Sequence, residues 1–415
     1  MRRAAKLLAI TISISLLPIS FANGAIAGTK CTKSGTTKIV SNIKYTCIKQ
    51  GGKLVWNKGV SIKPADKPTQ SPNPTPSPTP TSSSSASPEQ SVKPSPTPTP
   101  TVSKFVPPSM PTSFKDVQEH IDGIAYWAWA KSKAKLDSSE AKLGKIEIII
   151  GPNTIPDNRT PLIAIENVSK LASGFKMPVK ILAVYASEKD IDWGQAQIES
   201  FCGASDCGYN VQGEAKKACN VPVTPCWGGL SVTNQKTDVG MMYQTASDWG
   251  KSDVNHYSGT LEAHEFFHAV QNANSRGNTY TTMPRWLIEG SATWIQAPAI
   301  YSRDYENYLW ERKRTAGDLI SNVKPRSDWL LNFLNPNSVN GWSYWDSYEN
   351  WRLYDVGQLA TEVMVSIGGP DSLMSLFQRI GNGSTFVDAF RSEYGIPWSE
   401  GAKILADVIA LECST

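Results

Sequence analysis

A proline-rich segment divides this 415-residue chain and limits what it can fold into. Fourteen of the 28 prolines lie between residues 61 and 110, where they are mixed with serine and threonine. Such a composition cannot bury an apolar core, and it favours an extended polyproline II chain. We therefore expect residues 61–112 to form a stiff linker between a small N-terminal unit and a large C-terminal one.

Residues 1–27 have the pattern of a secretion signal. Positive residues precede a largely apolar run at 7–21, and Ala25-Ile26-Ala27 matches a cleavage site of small residues. The apolar run is too short, and too rich in serine and threonine, to predict a membrane span. The pattern predicts a mature protein that is secreted and extracellular and has no transmembrane segment.

Residues 28–60 predict a small β module stapled by a disulfide between Cys31 and Cys47, because exported proteins form such bonds. The module has seven lysines and no acidic residue, whereas residues 61–415 contain 31 basic and 37 acidic residues. One interpretation is attachment to an anionic cell-wall polymer or to lipid headgroups, which would place the protein at the cell surface. The other is a solubilising N-terminal unit. No nucleic-acid partner is expected.

Residues 113–415 predict an α+β domain, with an α/β part at 113–257 and a mainly helical part at 258–415. Apolar runs at 145–150 and 179–185 predict strands on either side of a helix at 162–172. This order indicates a mixed sheet packed with helices. Further helices are expected at 114–133, 190–201, 301–313, 329–333, 356–367, 372–380, 386–392 and 400–411.

Four cysteines cluster at Cys202, Cys207, Cys219 and Cys226. They could form a zinc ribbon with four cysteine ligands or two disulfides, and the lack of a C-x-x-C pair favours disulfides. Their pairing is left open. Cys413 makes the total odd, so it is either free or paired with one of the four.

The residues most indicative of chemistry are His264-Glu265-Phe266-Phe267-His268, which read H-E-x-x-H. On a helix, residues four apart project from one face, so the two imidazoles can bind one metal ion while Glu265 holds a proton beside it. Glu289 follows 21 residues after His268, on a second predicted helix that begins at Pro284. Two histidines and a glutamate with an open fourth position form the catalytic type of zinc site. The small residues 290–292 would let this helix approach the first.

These residues resemble the gluzincin metallopeptidases, the clan of thermolysin-like and aminopeptidase-N-like enzymes (peptidase MA). The resemblance rests on H-E-x-x-H, on Glu289 in a W-x-x-E-G context, and on a Y-x-x-G run at Tyr354. It implies a Zn2+ cofactor bound by His264, His268 and Glu289, with Glu265 as the general base.

The same resemblance implies that Tyr354 donates to the oxyanion, with Tyr344 and Tyr348 as competing candidates. It also implies an edge strand beside the zinc helix that pairs with the substrate backbone. Thr293 is a candidate for orienting a metal ligand, although an ordinary helical threonine fits the position equally well.

Aminopeptidases of this clan carry a G-x-M-E-N run whose acid holds the free amine of the substrate. The run Gly240-Met241-Met242-Tyr243-Gln244 has no acid there, which favours an endopeptidase acting on protein or peptide. Two alternatives stay open. The chain could be an amidase on peptidoglycan crosslinks, or a surface-binding protein that retains the site without turnover.

Overall fold

The computed structural model describes most of residues 30–61 and residues 105–155, 161–219, 228–245, 258–276, 282–334 and 352–414. The chain forms two compact units, Met1–Thr99 and Pro100–Thr415. Several predictions fall outside the described residues: the signal at 1–27, most of the linker, Cys226, Tyr344 and Tyr348.

The first unit is an antiparallel sheet in which the second strand pairs with all three others. The disulfide between Cys31 and Cys47 confirms the predicted staple. Lys49 and Lys53 are exposed, and the register places these two side chains on opposite faces of the sheet. The strands are β1 (Thr37–Val40), β2 (Ile43–Gln50), β3 (Lys53–Trp56) and β4 (Val60–Ser61).

A four-stranded mixed sheet organises the second unit, as the sequence predicts. Its order is β5-β6-β8-β7, with β5, β6 and β8 parallel and β7 antiparallel to β8. The interior strands are apolar along their length because both of their faces are covered. The strands are β5 (Lys145–Ile150), β6 (Lys180–Ala186), β7 (Gly229–Asn234) and β8 (Val239–Thr245).

Helices cover both faces of this sheet. Alternate residues of β6 point to opposite faces, so Ile181, Ala183 and Tyr185 enter the large helical core while Val184 and Ala186 enter a smaller one. The helices up to the sheet's last strand are α1 (Ile124–Ser138), α2 (Pro161–Leu171), α3 (Ile191–Cys202) and α4 (Glu214–Cys219). Those that follow are α5 (Thr260–Asn274), α6 (Arg285–Trp294), α7 (Gln296–Tyr301), α8 (Tyr305–Asp318), α9 (Ser327–Leu334), α10 (Arg352–Gly381), α11 (Phe386–Tyr394) and α12 (Trp398–Glu412).

Two predicted helices differ from the structure. The helix expected at 114–133 begins as a tight 3-10 segment, Val117–Gly123, and becomes α-helical only at Ile124. The helices expected at 356–367 and 372–380 form one element, α10, which is broken at Gly369, where φ is 74°. Pro370 follows this break, and its missing N–H explains why the helix is interrupted there.

The cysteines form disulfides rather than a zinc ribbon. Cys202 is bonded to Cys207, and Cys219 is also disulfide-bonded. Cys413 is free and buried. Within the described part of the chain, no helix is both long and apolar enough to cross a membrane.

Candidate metal centre

The helix α5 carries the H-E-x-x-H residues through the middle of the second unit. It begins at Thr260, whose backbone N–H donates to Ser258 Oγ at 3.2 Å. The apolar spacing predicts that the histidines border a cleft, but the structure buries them more deeply. His264 is 7% and His268 4% exposed, because the sheet packs on one side of α5 and the helices α6 and α7 on the other.

Three ligand atoms converge at this position. The Nε2 atoms of His264 and His268 lie 3.1 Å apart, and Glu289 Oε2 lies 3.5 Å from the first and 3.3 Å from the second. Donor atoms about 2.0–2.2 Å from a tetrahedral zinc ion lie about 3.3–3.6 Å from one another. The three side chains therefore fit one face of a tetrahedral metal site, and together they form a buried group that can hold a metal ion.

Gln271 fixes the His268 ring. Its Oε1 lies 2.8 Å from His268 Nδ1, while its Nε2 donates to Ile288 O at 3.0 Å and to Ser291 Oγ at 2.9 Å. Because the amide hydrogens are already used, the oxygen faces the imidazole and accepts from Nδ1–H. This leaves the Nε2 lone pair of His268 directed at the metal position, as in known metal sites.

Gln296 occupies the matching position beside His264. Its Nε2 lies 3.0 Å from His264 Nδ1, and turning the amide by half a turn would place its oxygen beside that ring nitrogen instead. Thr293, the sequence candidate for this role, instead donates to the carbonyl of Glu289 at 2.9 Å within its own helix. The sequence analysis missed both glutamines. The spacing of Gln271, three residues after His268 on one helix, is the signal that could have found it.

The charges of the site depend on one another. Burial opposes the ionised form of Glu289, but the two histidines outweigh it and lower the pKa of this carboxyl well below its usual value. Burial also opposes protonation of His268, yet Glu289 prevails and raises the His268 pKa to about 9. The metal-free site therefore holds a proton between these groups, and a metal ion must displace that proton on binding.

Glu265 lies beside the ligands and next to β7. Its carboxyl is 6% exposed, and burial raises its pKa. A Cβ at Gly229, the first residue of β7, would lie 2.7 Å from Glu265 Oε1. Only glycine permits this approach, so the strand passes directly against the carboxyl.

A close crossing of α6 and α10 brings Tyr354 to the site. A Cβ at Gly290 would lie 2.2 Å from Gly357 Cα, and a Cβ at Gly357 would lie 2.0 Å from the carbonyl oxygen of Trp286. Backbones can touch here only because both residues are glycine. The contact explains why glycine follows Glu289 and why Gly357 follows Tyr354 by three residues.

The Tyr354 hydroxyl is hydrogen-bonded to Glu289, and its ring centroid lies 6.1 Å from that of His264. Burial and the nearby Glu289 and Glu265 raise its pKa well above the usual value, so it stays a proton donor. The structure thus brings together all five predicted site residues. The expectation that residues 290–292 face α5 is only partly met, since Gly290 contacts α10 while Ser291 faces Gln271.

The run at 240–244, which was expected to correspond to G-x-M-E-N on an edge strand, does not lie at the edge of the sheet. Residues 240–244 lie in β8, which is buried between β6 and β7 and is not at the edge of the sheet. Among the described strands, β7 forms this edge, and α5 packs against it. The sequence of β7, Gly-Leu-Ser-Val-Thr-Asn, also contains no acidic residue.

No protein-family model matches the chain, no curated protein matches it, and no solved structure matches it. Its chemistry therefore has to be inferred from its own residues. Those residues are the three converging ligand atoms, the Glu265 carboxyl beside them, and the Tyr354 hydroxyl bonded to Glu289.

Proposed function

We propose that this protein is an exported zinc-dependent hydrolase that cleaves peptide bonds, an endopeptidase resembling the gluzincins. One observation carries the proposal. His264, His268 and Glu289 place three donor atoms at mutual distances of 3.1, 3.3 and 3.5 Å, with the buried carboxyl of Glu265 beside them. Two imidazoles and one carboxylate with an open fourth position are typical of catalytic zinc.

Zinc bound by these residues would supply Lewis-acid chemistry, acidifying a water molecule and polarising the scissile carbonyl. The protein orients the side chains that would bind the zinc. Gln271 and Gln296 restrain the two imidazoles through their Nδ1 atoms, so that both Nε2 atoms face Glu289. Such outer hydrogen bonds commonly change metal affinity or activity by about 10–100-fold when they are removed.

Glu265 acts as the general base. Its carboxyl accepts a proton from the attacking water and delivers it to the leaving amine. Burial raises the pKa of this carboxyl, which brings its proton affinity closer to that of a base working near neutral pH. The close approach of β7 at Gly229 holds the substrate strand beside it.

Tyr354 donates its hydroxyl hydrogen to the developing oxyanion. The raised pKa keeps this hydrogen in place, and the contact with Glu289 holds the hydroxyl near the metal position. A donor of this kind is often worth about 3 kcal/mol of transition-state stabilisation.

The substrate lies along β7 as an added strand. Its backbone pairs with the strand edge while its side chains alternate between the two faces of the sheet. The absence of an acid on β7 leaves no carboxylate on that strand to hold a free amino terminus, which favours cleavage within chains. An amidase acting on peptide crosslinks would use the same residues on a different substrate.

Export accounts for the cysteine chemistry. The disulfides Cys31–Cys47 and Cys202–Cys207 are stable in oxidising compartments. Together with the N-terminal signal pattern, they support an extracellular location.

Cleavage profiling tests the proposal. The whole mature chain, loaded with zinc, is given a mixed peptide library, and products are identified by mass spectrometry with and without a zinc chelator. Cuts inside peptides that the chelator abolishes are expected. Cuts confined to free amino termini would overturn the endopeptidase assignment, and a zinc-loaded chain that cuts no peptide would overturn the function.

The variant Glu265→Gln is expected to keep its zinc and lose about 10²–10⁴-fold in kcat, the usual contribution of a general base. Glu262→Gln is the matched control. Glu262 is buried on the same helix, where Tyr185 donates to it at 3.2 Å, so its substitution should change kcat little. Equal loss in both variants would contradict the role of Glu265.

A further inference from the structure

A pocket opens at the end of α3. Its volume is about 550 Å³, and it is lined by Glu199 and by loop residues 203–205 and 208–212. The Cys202–Cys207 disulfide closes the loop at its base. Gln195 Nε2 donates to Val211 O at 2.9 Å, which fixes the far wall to the helix. The disulfide and this hydrogen bond therefore fix the shape of the pocket.

The pocket is negatively charged. Glu199 is its one ionisable acid, and no lysine or arginine is among the lining residues. The pocket also lies at the C-terminal end of α3, the negative end of the helix dipole. The nearby Asp206 is paired with Lys236 at 2.6 Å. The free charge in the pocket thus favours a cation.

The segment from the end of α3 to α4 is anchored to the edge strand β7 at both of its ends. At the far end, Gln235 N–H donates to Asp206 O at 2.8 Å and Asn234 Nδ2 donates to Phe201 O at 3.1 Å. At the start, Gly228 N–H donates to Ala218 O of α4 at 3.2 Å. The pocket loop and α4 therefore lie against the strand along which the substrate is proposed to lie.

Tyr209 connects the pocket to the chemistry. It lines the pocket and is 44% exposed, so its ring stands at an open rim. Burial, Glu214 and Glu265 together raise the pKa of its hydroxyl, which places that hydroxyl within electrostatic reach of the proposed base.

Resting on the proposed function, we propose that this pocket is a subsite that binds a lysine or arginine side chain of the peptide substrate. An extended peptide on β7 sends alternate side chains to the face opposite α5, where α3 and the stapled loop pack. A basic side chain pointing to that face meets the carboxylate of Glu199. The enzyme then cuts near basic residues, at a fixed distance from them.

Matched peptides test the subsite. Each position around a mapped cut is varied among lysine, glutamine and glutamate, and kcat/KM is measured with the zinc-loaded whole chain. At one position we expect lysine to exceed glutamate by about tenfold, within the usual range for a single subsite contact. Glu199→Gln should shrink that ratio severalfold. Asp192→Asn, which removes a charge at the opposite end of α3, should leave it unchanged.

No lysine preference at any position, or an unchanged ratio in Glu199→Gln, would overturn the subsite. If no peptide is cut at all, the proposed function fails, and binding then tests the pocket separately. Fluorescence anisotropy with the Glu265→Gln chain should show tighter binding of lysine peptides than of glutamate peptides, and Glu199→Gln should remove the difference. Equal binding of both peptides would reject the pocket.

Discussion

Two buried clusters in the helical part of this protein contain carboxylates, but the carboxylates have different partners. At the metal centre, Glu265 and Glu289 lie beside two histidines, and among the described residues neither carboxyl pairs with a lysine or arginine. In the second cluster, which we term the arginine network (Tyr308, Arg312, Glu362 and Glu412), one guanidinium lies between two carboxylates.

The arginine network is complete within the chain. Arg312 donates to Glu362 at 2.5 Å and to Glu412 at 2.8 Å, and the Tyr308 hydroxyl donates to Glu362 at 2.7 Å. Buried charge is tolerated when it is paired and hydrogen-bonded in this way. The cation of this network is therefore supplied by the protein itself.

Among the described residues, no lysine or arginine pairs with the carboxylates of the candidate metal centre, and its three ligand atoms converge on a common position. Burying two carboxylates without a paired cation costs free energy. In the metal-free state, a proton on the histidines offsets part of this free-energy cost. A metal ion held at this site would do what Arg312 does in the network.

The largest expected effect comes from removing the network's own cation. Arg312→Met leaves Glu362 and Glu412 buried without their partner, which typically costs about 3–5 kcal/mol of stability. Denaturant unfolding measures the loss. Arg326→Met is the control, because Arg326 forms an exposed pair with Asp328, and its unfolding midpoint should stay at the wild-type value. A stable Arg312→Met chain would show that the two clusters do not differ in this way.

The next effect tests the α6–α10 crossing that positions Tyr354. In Gly357→Ala the new methyl would overlap the carbonyl of Trp286, and overpacking of this kind costs about 1–3 kcal/mol or more. We also expect kcat to fall while zinc content stays constant, since Tyr354 moves and the ligands do not.

Gly317→Ala should change stability in the opposite direction, and it serves as the comparison. Gly317 lies in α8, and a Cβ there meets only Lys313 Cγ, at 3.4 Å. Alanine in a helix is favoured over glycine by about 0.5–1 kcal/mol, so this variant should gain stability. If Gly357→Ala also gained stability, the helices would not be in backbone contact.

A further expected effect is a pH dependence of the arginine network. Burial, followed by the charge of Glu362, raises the Glu412 pKa to about 7. A raised carboxyl pKa gives stability that is fully present below the unfolded value of 4.5 and is lost as pH rises through about 7. Wild-type stability should therefore decline between pH 5 and 8, by on the order of 2 kcal/mol.

Glu412→Gln isolates the contribution of Glu412 titration to stability, because the amide resembles the protonated acid and does not titrate. The free energy of unfolding of Glu412→Gln, measured with denaturant, should exceed that of the wild type by nearly zero at pH 5 and by a growing amount towards pH 8. A constant difference across this range would mean that Glu412 does not titrate in it.

The sequence by itself determined the local parts of this protein. The period of the helix places His264 and His268 on one face, and the apolar runs give the strands β5 and β6 within a few residues. The third ligand, Glu289, was also predictable, because its motif context supplied what spacing alone could not. These features depend on backbone periodicity or on short motifs, which a single sequence displays directly.

Only the tertiary structure decided which residues support those parts. It identified β7 as the edge strand, joined Gln271 and Gln296 to the ligand rings, and set Gly290 against Gly357. It also assembled the arginine network from helices up to 100 residues apart. Such contacts depend on how each helix is rotated about its axis and packed against its neighbours. Many sequence positions fix that packing together, so no single spacing in the chain reveals it.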